Sequence, residues 1–66
     1  MKATINGCLR DLPDELTVGA LLKLLGSERN GIAVAQNDSV VRRNEYDMRS
    51  VCEGDRIEII EAVAGG

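Results

Sequence analysis

The sequence predicts an α+β domain in which one helix lies across a mixed sheet of four or five strands. Three observations carry that expectation. Met1 to Ile5 alternates in polarity and runs into Asn6-Gly7, the dipeptide suited to the two positive-φ positions of a type I′ hairpin turn. One apolar stripe at helical spacing, Val18, Leu21, Leu22 and Leu25, follows the hairpin. The final strand, beginning at Arg56, can pack centrally only by lying parallel beside the first strand.

Each element follows from its residues. In the first strand Met1, Ala3 and Ile5 share one face, and Lys2 and Thr4 the other. A second strand runs from Cys8 to Leu12 and stops at Pro13, which cannot donate to a ladder. Thr17 is the expected N-cap of the helix and Gly26 its C′ residue, giving a helix of eight or nine residues that needs a sheet beneath it. Residues 27–31 form a polar loop. Ile32-Ala33-Val34-Ala35 reads as a buried strand with Ile32 and Val34 inward and the alanines opposite. Asn37-Asp38 turns the chain into a short strand, 39–41. Residues 42–50 are charged and irregular, with Tyr46 anchoring them to the core edge. After a turn at Glu53-Gly54-Asp55, the last strand, 56–62, carries Ile57 and Ile59 inward. The expected division is a domain over 1–62 and a flexible tail over 63–66.

Composition narrows the function. Sixty-six residues allow one domain with a small core, and leave no room for a cleft between lobes. With no His, the usual general base near neutral pH and the commonest metal ligand are both missing, so a metal site is not expected. Tyr46 is the sole aromatic residue and the net charge is −3, which argues against nucleic-acid binding. No apolar run is long enough for a membrane span and the first residues form no signal peptide, so the expectation is a soluble cytoplasmic protein. Cys8 and Cys52 stand alone, without a ligand cluster, and are expected as reduced thiols with packing roles. Any chemistry is expected to be completed inside another protein's active site, so the chain itself is not expected to be an enzyme.

The feature that offers chemistry is the ending, Val63-Ala64-Gly65-Gly66. Its plain interpretation is a frayed terminus. The functional one is geometric: glycine has no Cβ, so an extended tail ending in two glycines can thread a channel too narrow for side chains and deliver a main-chain carboxylate to a distant centre.

The run Ile32-Ala-Val-Ala-Gln-Asn37, then Val40-Val41 with Arg43 and Tyr46, then Glu53-Gly-Asp-Arg-Ile-Glu-Ile-Ile60 and the close Ala62-Val-Ala-Gly-Gly66, resembles the ThiS family of thiamine-biosynthesis sulfur carriers. The likeness covers essentially the whole chain. Its most specific part is G-D-x-I with the V-A-G-G ending, and it departs at Arg42, where the family commonly has proline. The resemblance implies a ubiquitin-like β-grasp fold and a reaction path. A ThiF-type adenylyltransferase would activate the Gly66 carboxylate with ATP. Sulfur relayed from a cysteine desulfurase persulfide would convert it to a thiocarboxylate, and the thiazole synthase ThiG would accept that sulfur. No cofactor would be bound by this chain, since ATP and Mg²⁺ belong to the activating partner, and the free protein would be a monomer. The alternatives are another diglycine carrier, such as the molybdopterin synthase small subunit, and a passive ubiquitin-like binding module.

Two surface features bear on a partner. If Ile57 and Ile59 face the helix, then Ile60 and Ala62 face outward beside Glu58, and this trio is the expected docking patch next to the tail. Glu53, Asp55, Glu58 and Glu61 cluster in sequence, either as a solvated face or as a steering surface for a basic partner.

Overall fold

The computed structural model describes residues 1–27 and 31–61. Strands β1 (Lys2–Ile5) and β2 (Cys8–Asp11) form the expected hairpin, with Asn6 at φ 49° and Gly7 at φ 83°. These are the two left-handed positions a type I′ turn requires. Ala3 and Ile5 are buried.

A two-residue strand, β3 (Leu16–Thr17), precedes helix α1 (Val18–Leu24). Thr17 caps the helix, its Oγ1 accepting from Ala20 N at 3.1 Å. Two further main-chain donors of the first turn are met from the 42–50 segment: Val18 N donates to Arg49 O and Gly19 N to Tyr46 O. At the other end Gly26 takes φ 73°, with Gly26 N donating to Lys23 O and Ser27 N to Leu22 O. That pair of bonds is a Schellman motif, and it stops the helix at seven residues, shorter than the apolar stripe suggested.

Strands β4 (Ile32–Gln36) and β5 (Ser39–Val41) make a second hairpin around Asn37 and Asp38, at φ 50° and 69°. A 3₁₀ turn (Arg43–Glu45) and the short β6 (Ser50–Val51) lead to β7 (Arg56–Glu61). The main sheet has the order β2-β1-β7-β4-β5, with β1 and β7 parallel and the other pairs antiparallel. It is the five-stranded mixed sheet of the ubiquitin-like β-grasp, with α1 across one face. The core sits between them, built from Val18, Leu21 and Leu22 of the helix and Ala3, Val34 and Ile57 of the sheet.

Several expectations need correction. β3 and β6 pair antiparallel as a separate two-stranded sheet, which periodicity cannot reveal in strands of two residues. Tyr46 is fully within the core rather than at its edge. Cys8 and Cys52 are free thiols but exposed, so neither has a packing role. Arg42 sits at φ −74°, an angle proline would also adopt, and donates its N–H to Glu45 Oε1 at 3.1 Å. The departure from proline therefore leaves the backbone path open and adds a bond that proline could not make.

Candidate functional site

The candidate site is the far end of β7, the last described element before Gly66. Gly66, Gly65, Ala64, Val63 and Ala62, all singled out by sequence, lie outside the described residues. The strand that precedes them in the chain is β7. β7 is the central strand, with β1 on one edge and β4 on the other. Ile57 and Ile59 face α1, Ile57 with no exposed surface, as the alternation predicts.

Two turn asparagines fasten β7 from opposite sides. Asn37, in the β4–β5 turn, holds its start: the main-chain N–H donates to Arg56 O at 2.8 Å, and Oδ1 accepts from Arg56 N at 2.9 Å. Asn6, in the β1–β2 turn, holds its later part. Asn6 N donates to Ile57 O at 2.9 Å, Oδ1 accepts from Ile59 N at 2.8 Å, and Nδ2 donates to Ile59 O at 3.3 Å. The side-chain amide thus replaces the residue that would continue β1 had the chain not turned. Sequence reasoning used Asn6 and Asn37 only as turn residues, Asn6 for its tolerance of positive φ. Their side-chain roles depend on which strand lies beside each turn.

Asp55 anchors the approach to β7. Its carboxylate accepts from Cys52 N and Gln36 Nε2 at 2.7 Å and from Asn37 Nδ2 at 2.9 Å, and the residue is only 8% exposed. Burial pushes the Asp55 carboxyl pKa upward, but the donors Asn37, Cys52 N–H and Gln36 together outweigh it and hold the group below its ordinary 3.8. The Gln36 amide spends its Nε2 on Asp55 and on Ser50 O, leaving Oε1 buried without a partner among the described residues. The sequence cluster Glu53, Asp55, Glu58, Glu61 is therefore not one acidic face. Asp55 is internal, and Glu53 Oε1 accepts from Lys2 N at 2.8 Å.

Ile60 and Glu58 fall where alternation put them, on the sheet face away from the helix, and Ile60 is 60% exposed. Cross-strand partners share a face, so Ile60 stands beside Ala33, and Glu58 beside Ala35, which in turn pairs with Val40. Ile60, Ala33, Ala35 and Val40 make a shallow apolar surface bordered by Glu58, with Val40 itself 74% exposed. Sequence analysis did not assign Val40 to it. The signal was the pair Val40-Val41 in a short strand, where one valine must face away from the core; Val41 is the buried one. Among the described residues no group of three or more His, Cys, Asp or Glu is arranged to hold a metal ion, and no helix is long and apolar enough to cross a membrane.

A family model described as the ThiS family matches residues 3–66. The chain belongs to the ThiS family. This ThiS-family chain is 38% identical over 66 residues to a thiazole synthase of Paramagnetospirillum magneticum; the match takes all of this chain but only 20% of that protein. It therefore spans about a fifth of that relative's length. It is 36% identical over 50 residues to the sulfur carrier protein ThiS of Escherichia coli, covering 76% of each. The crystal structure of the thiamine biosynthesis protein ThiS from Geobacter metallireducens superposes with a TM-score of 0.87 at 29% identity over the full length of both chains. SAMP1 from Haloferax volcanii, at TM-score 0.59 and 18% identity over 98% of this chain and 97% of that one, shares the fold.

Proposed function

We propose that this chain is a sulfur carrier of thiamine biosynthesis, a protein cosubstrate rather than an enzyme, whose reacting group is the main-chain carboxylate of Gly66. The observation that carries this reading is a ThiS-family match running through residue 66, onto the diglycine that follows a strand fastened along both edges. The reading requires Gly66 to carry a free carboxylate.

The chemistry follows from what a carboxylate lacks. It is a poor electrophile, because no good leaving group is attached to its carbon. In an activating enzyme of the ThiF type, the carboxylate oxygen would attack the α-phosphorus of ATP. The bond to pyrophosphate breaks, and an acyl-adenylate results. The terminal sulfur of a cysteine persulfide then attacks the acyl carbon and AMP departs, leaving an acyl disulfide. A second thiol of the partner attacks the cysteine sulfur of that S–S bond, so that the thiocarboxylate leaves and the two partner cysteines end as a disulfide. The thiocarboxylate product is a soft, ionised sulfur nucleophile that can be carried to an acceptor. The match to a thiazole synthase more than four times longer than this chain supports a thiazole-forming enzyme as that acceptor.

ATP and Mg²⁺ would bind in the partner, and this chain contributes shape. Five residues follow Glu61, and fully extended they reach ~17 Å, enough to enter a narrow channel while the sheet docks outside it. The docking face is Ile60 with Ala33, Ala35 and Val40. Burying the Ile60 side chain against a partner is worth about 1.5–3 kcal/mol. Replacing it with Asp is therefore expected to raise the KM for this chain in adenylation about tenfold or more. Stability should change by less than ~0.5 kcal/mol, because the side chain is exposed. Steady-state kinetics with thermal melting checks both, and loss of the fold in Ile60→Asp would show the residue to be structural. ATP–pyrophosphate exchange tests the first step. Exchange that depends on adding this chain is the expected result, and none at saturating chain would leave only a passive binding module.

A further inference from the structure

Resting on the carrier reading, we infer that Asn6 is a positioning residue for activation: its side-chain amide fixes the line along which the chain leaves the sheet toward Gly66. Strand β1 ends at Ile5, because the chain turns at Asn6 and Gly7. β7 runs on past that point to Glu61. Without Asn6 the edge of β7 that faces β1 would lose its hold at Ile57, four residues short of the last described position. The Asn6 amide offers an oxygen to Ile59 N and a nitrogen to Ile59 O, the pair of contacts another strand residue would make. Both hydrogen bonds join positions 53 apart in sequence and lie just before the tail. A groove of about 380 Å³, lined in part by Asn6, Leu25, Ile59 and Glu61, opens on the same flank, so side-chain packing does not fill in for the amide there.

Direction at this joint matters once a partner's narrow channel imposes an extended path on the residues after Glu61. A change of direction at Ile59 is then carried to the reacting carbon, and misplacing a reacting group by about 1 Å can cost ~100-fold in rate. The side chains of the docking face, Ile60, Ala33, Ala35 and Val40, lie on the sheet face away from the helix and toward β4 and β5, and are unchanged by substitution at Asn6, so the loss belongs in kcat rather than KM.

The molecule contains its own control. Asn37 makes the same kind of side-chain staple at the start of β7, from a turn of the same geometry, far along the strand from the tail. Glycine at either position keeps the type I′ turn and removes the staple. In adenylation by the ThiF-type enzyme, Asn6→Gly is expected to lower kcat about tenfold with KM within about twofold, and to speed exchange of the Ile59 amide proton. Asn37→Gly is expected to lose at least as much thermal stability while keeping the parental kcat. Asn6→Asp, which keeps an oxygen facing Ile59 N–H, should fall between parent and Asn6→Gly. It also serves as the folded test should the glycine variant melt below the assay temperature, and a parental kcat in it then overturns the inference. A folded Asn6→Gly with parental kcat, or an Asn37→Gly with an equal loss of kcat, overturns it as well. If the parent chain itself supports no adenylation, the carrier reading fails first, and that result is distinct from either.

Discussion

Removing Gly66 is expected to abolish activation of the chain, by at least about a hundredfold, while leaving its melting temperature unchanged. The truncated chain still ends in glycine and still carries a carboxylate, so its chemistry is intact and only its reach has changed. One residue of extended backbone is ~3.5 Å, well beyond the ~1 Å at which misplaced reactants lose orders of magnitude in rate. Among the described residues the core ends at Ile57, with Ile59 packed against it, and the truncation removes none of these. The docking face is also kept. The truncated chain should therefore inhibit activation of the parent, with an inhibition constant close to the parental KM. Kinetics of the two chains, separately and mixed, checks all three statements. A truncated chain that is activated at more than a tenth of the parental rate would mean that the enzyme does not measure the distance from sheet to carboxylate.

The largest effect on stability is expected at Asp55. Its carboxylate accepts from Cys52 N–H, Gln36 Nε2 and Asn37 Nδ2, and Asp55→Ala leaves all three without it, the Gln36 donor in a buried position and the other two part-buried. Stranding a buried donor costs about 1–3 kcal/mol and a part-buried one less, because water reaches it, so the expected total is about 2–3 kcal/mol. A chain of 66 residues is stable by only ~3–10 kcal/mol, so the melting temperature should fall by about 10–25 °C.

The same carboxylate predicts a pH dependence. Because its folded-state pKa lies below the unfolded value near 3.8, its contribution is complete above that value and disappears as the pH falls through the folded pKa. The melting-temperature gap between parent and Asp55→Ala should hold constant above pH ~5 and shrink below pH ~3.8. Circular-dichroism melts across that range provide the check, and a gap that widens on acidification would contradict the assigned direction.

How far the sequence reached can be seen residue by residue. Both hairpins were legible, because Asn6-Gly7 and Asn37-Asp38 supply the positive φ values that type I′ turns need, and this requirement is purely local. The parallel seating of β7 on β1 followed from packing logic, since an apolar strand at the end of a small domain has to be central. The faces of Ile57, Ile59 and Ile60 followed from the pleat. The misses share a different origin. β3 pairs with β6, Tyr46 sits in the core, and Asp55 gathers donors from Cys52, Gln36 and Asn37. Each depends on segments that meet only after the chain has folded, and a one-dimensional pattern carries no trace of those meetings. Asp55 is the clearest case: grouped with Glu53, Glu58 and Glu61 by sequence proximity, it is the member whose side chain turns inward.

In the proposed function all reactivity belongs to one main-chain carboxylate and none to the folded body. The most direct test is the intact mass of the full-length chain after incubation with the activating enzyme, ATP and a sulfur source. The expected result is a mass gain equal to replacing one oxygen by sulfur, located at Gly66 by fragmentation and absent when ATP is omitted. An unchanged mass under conditions where the enzyme is active, or sulfur found on Cys8 or Cys52 instead of Gly66, would contradict it.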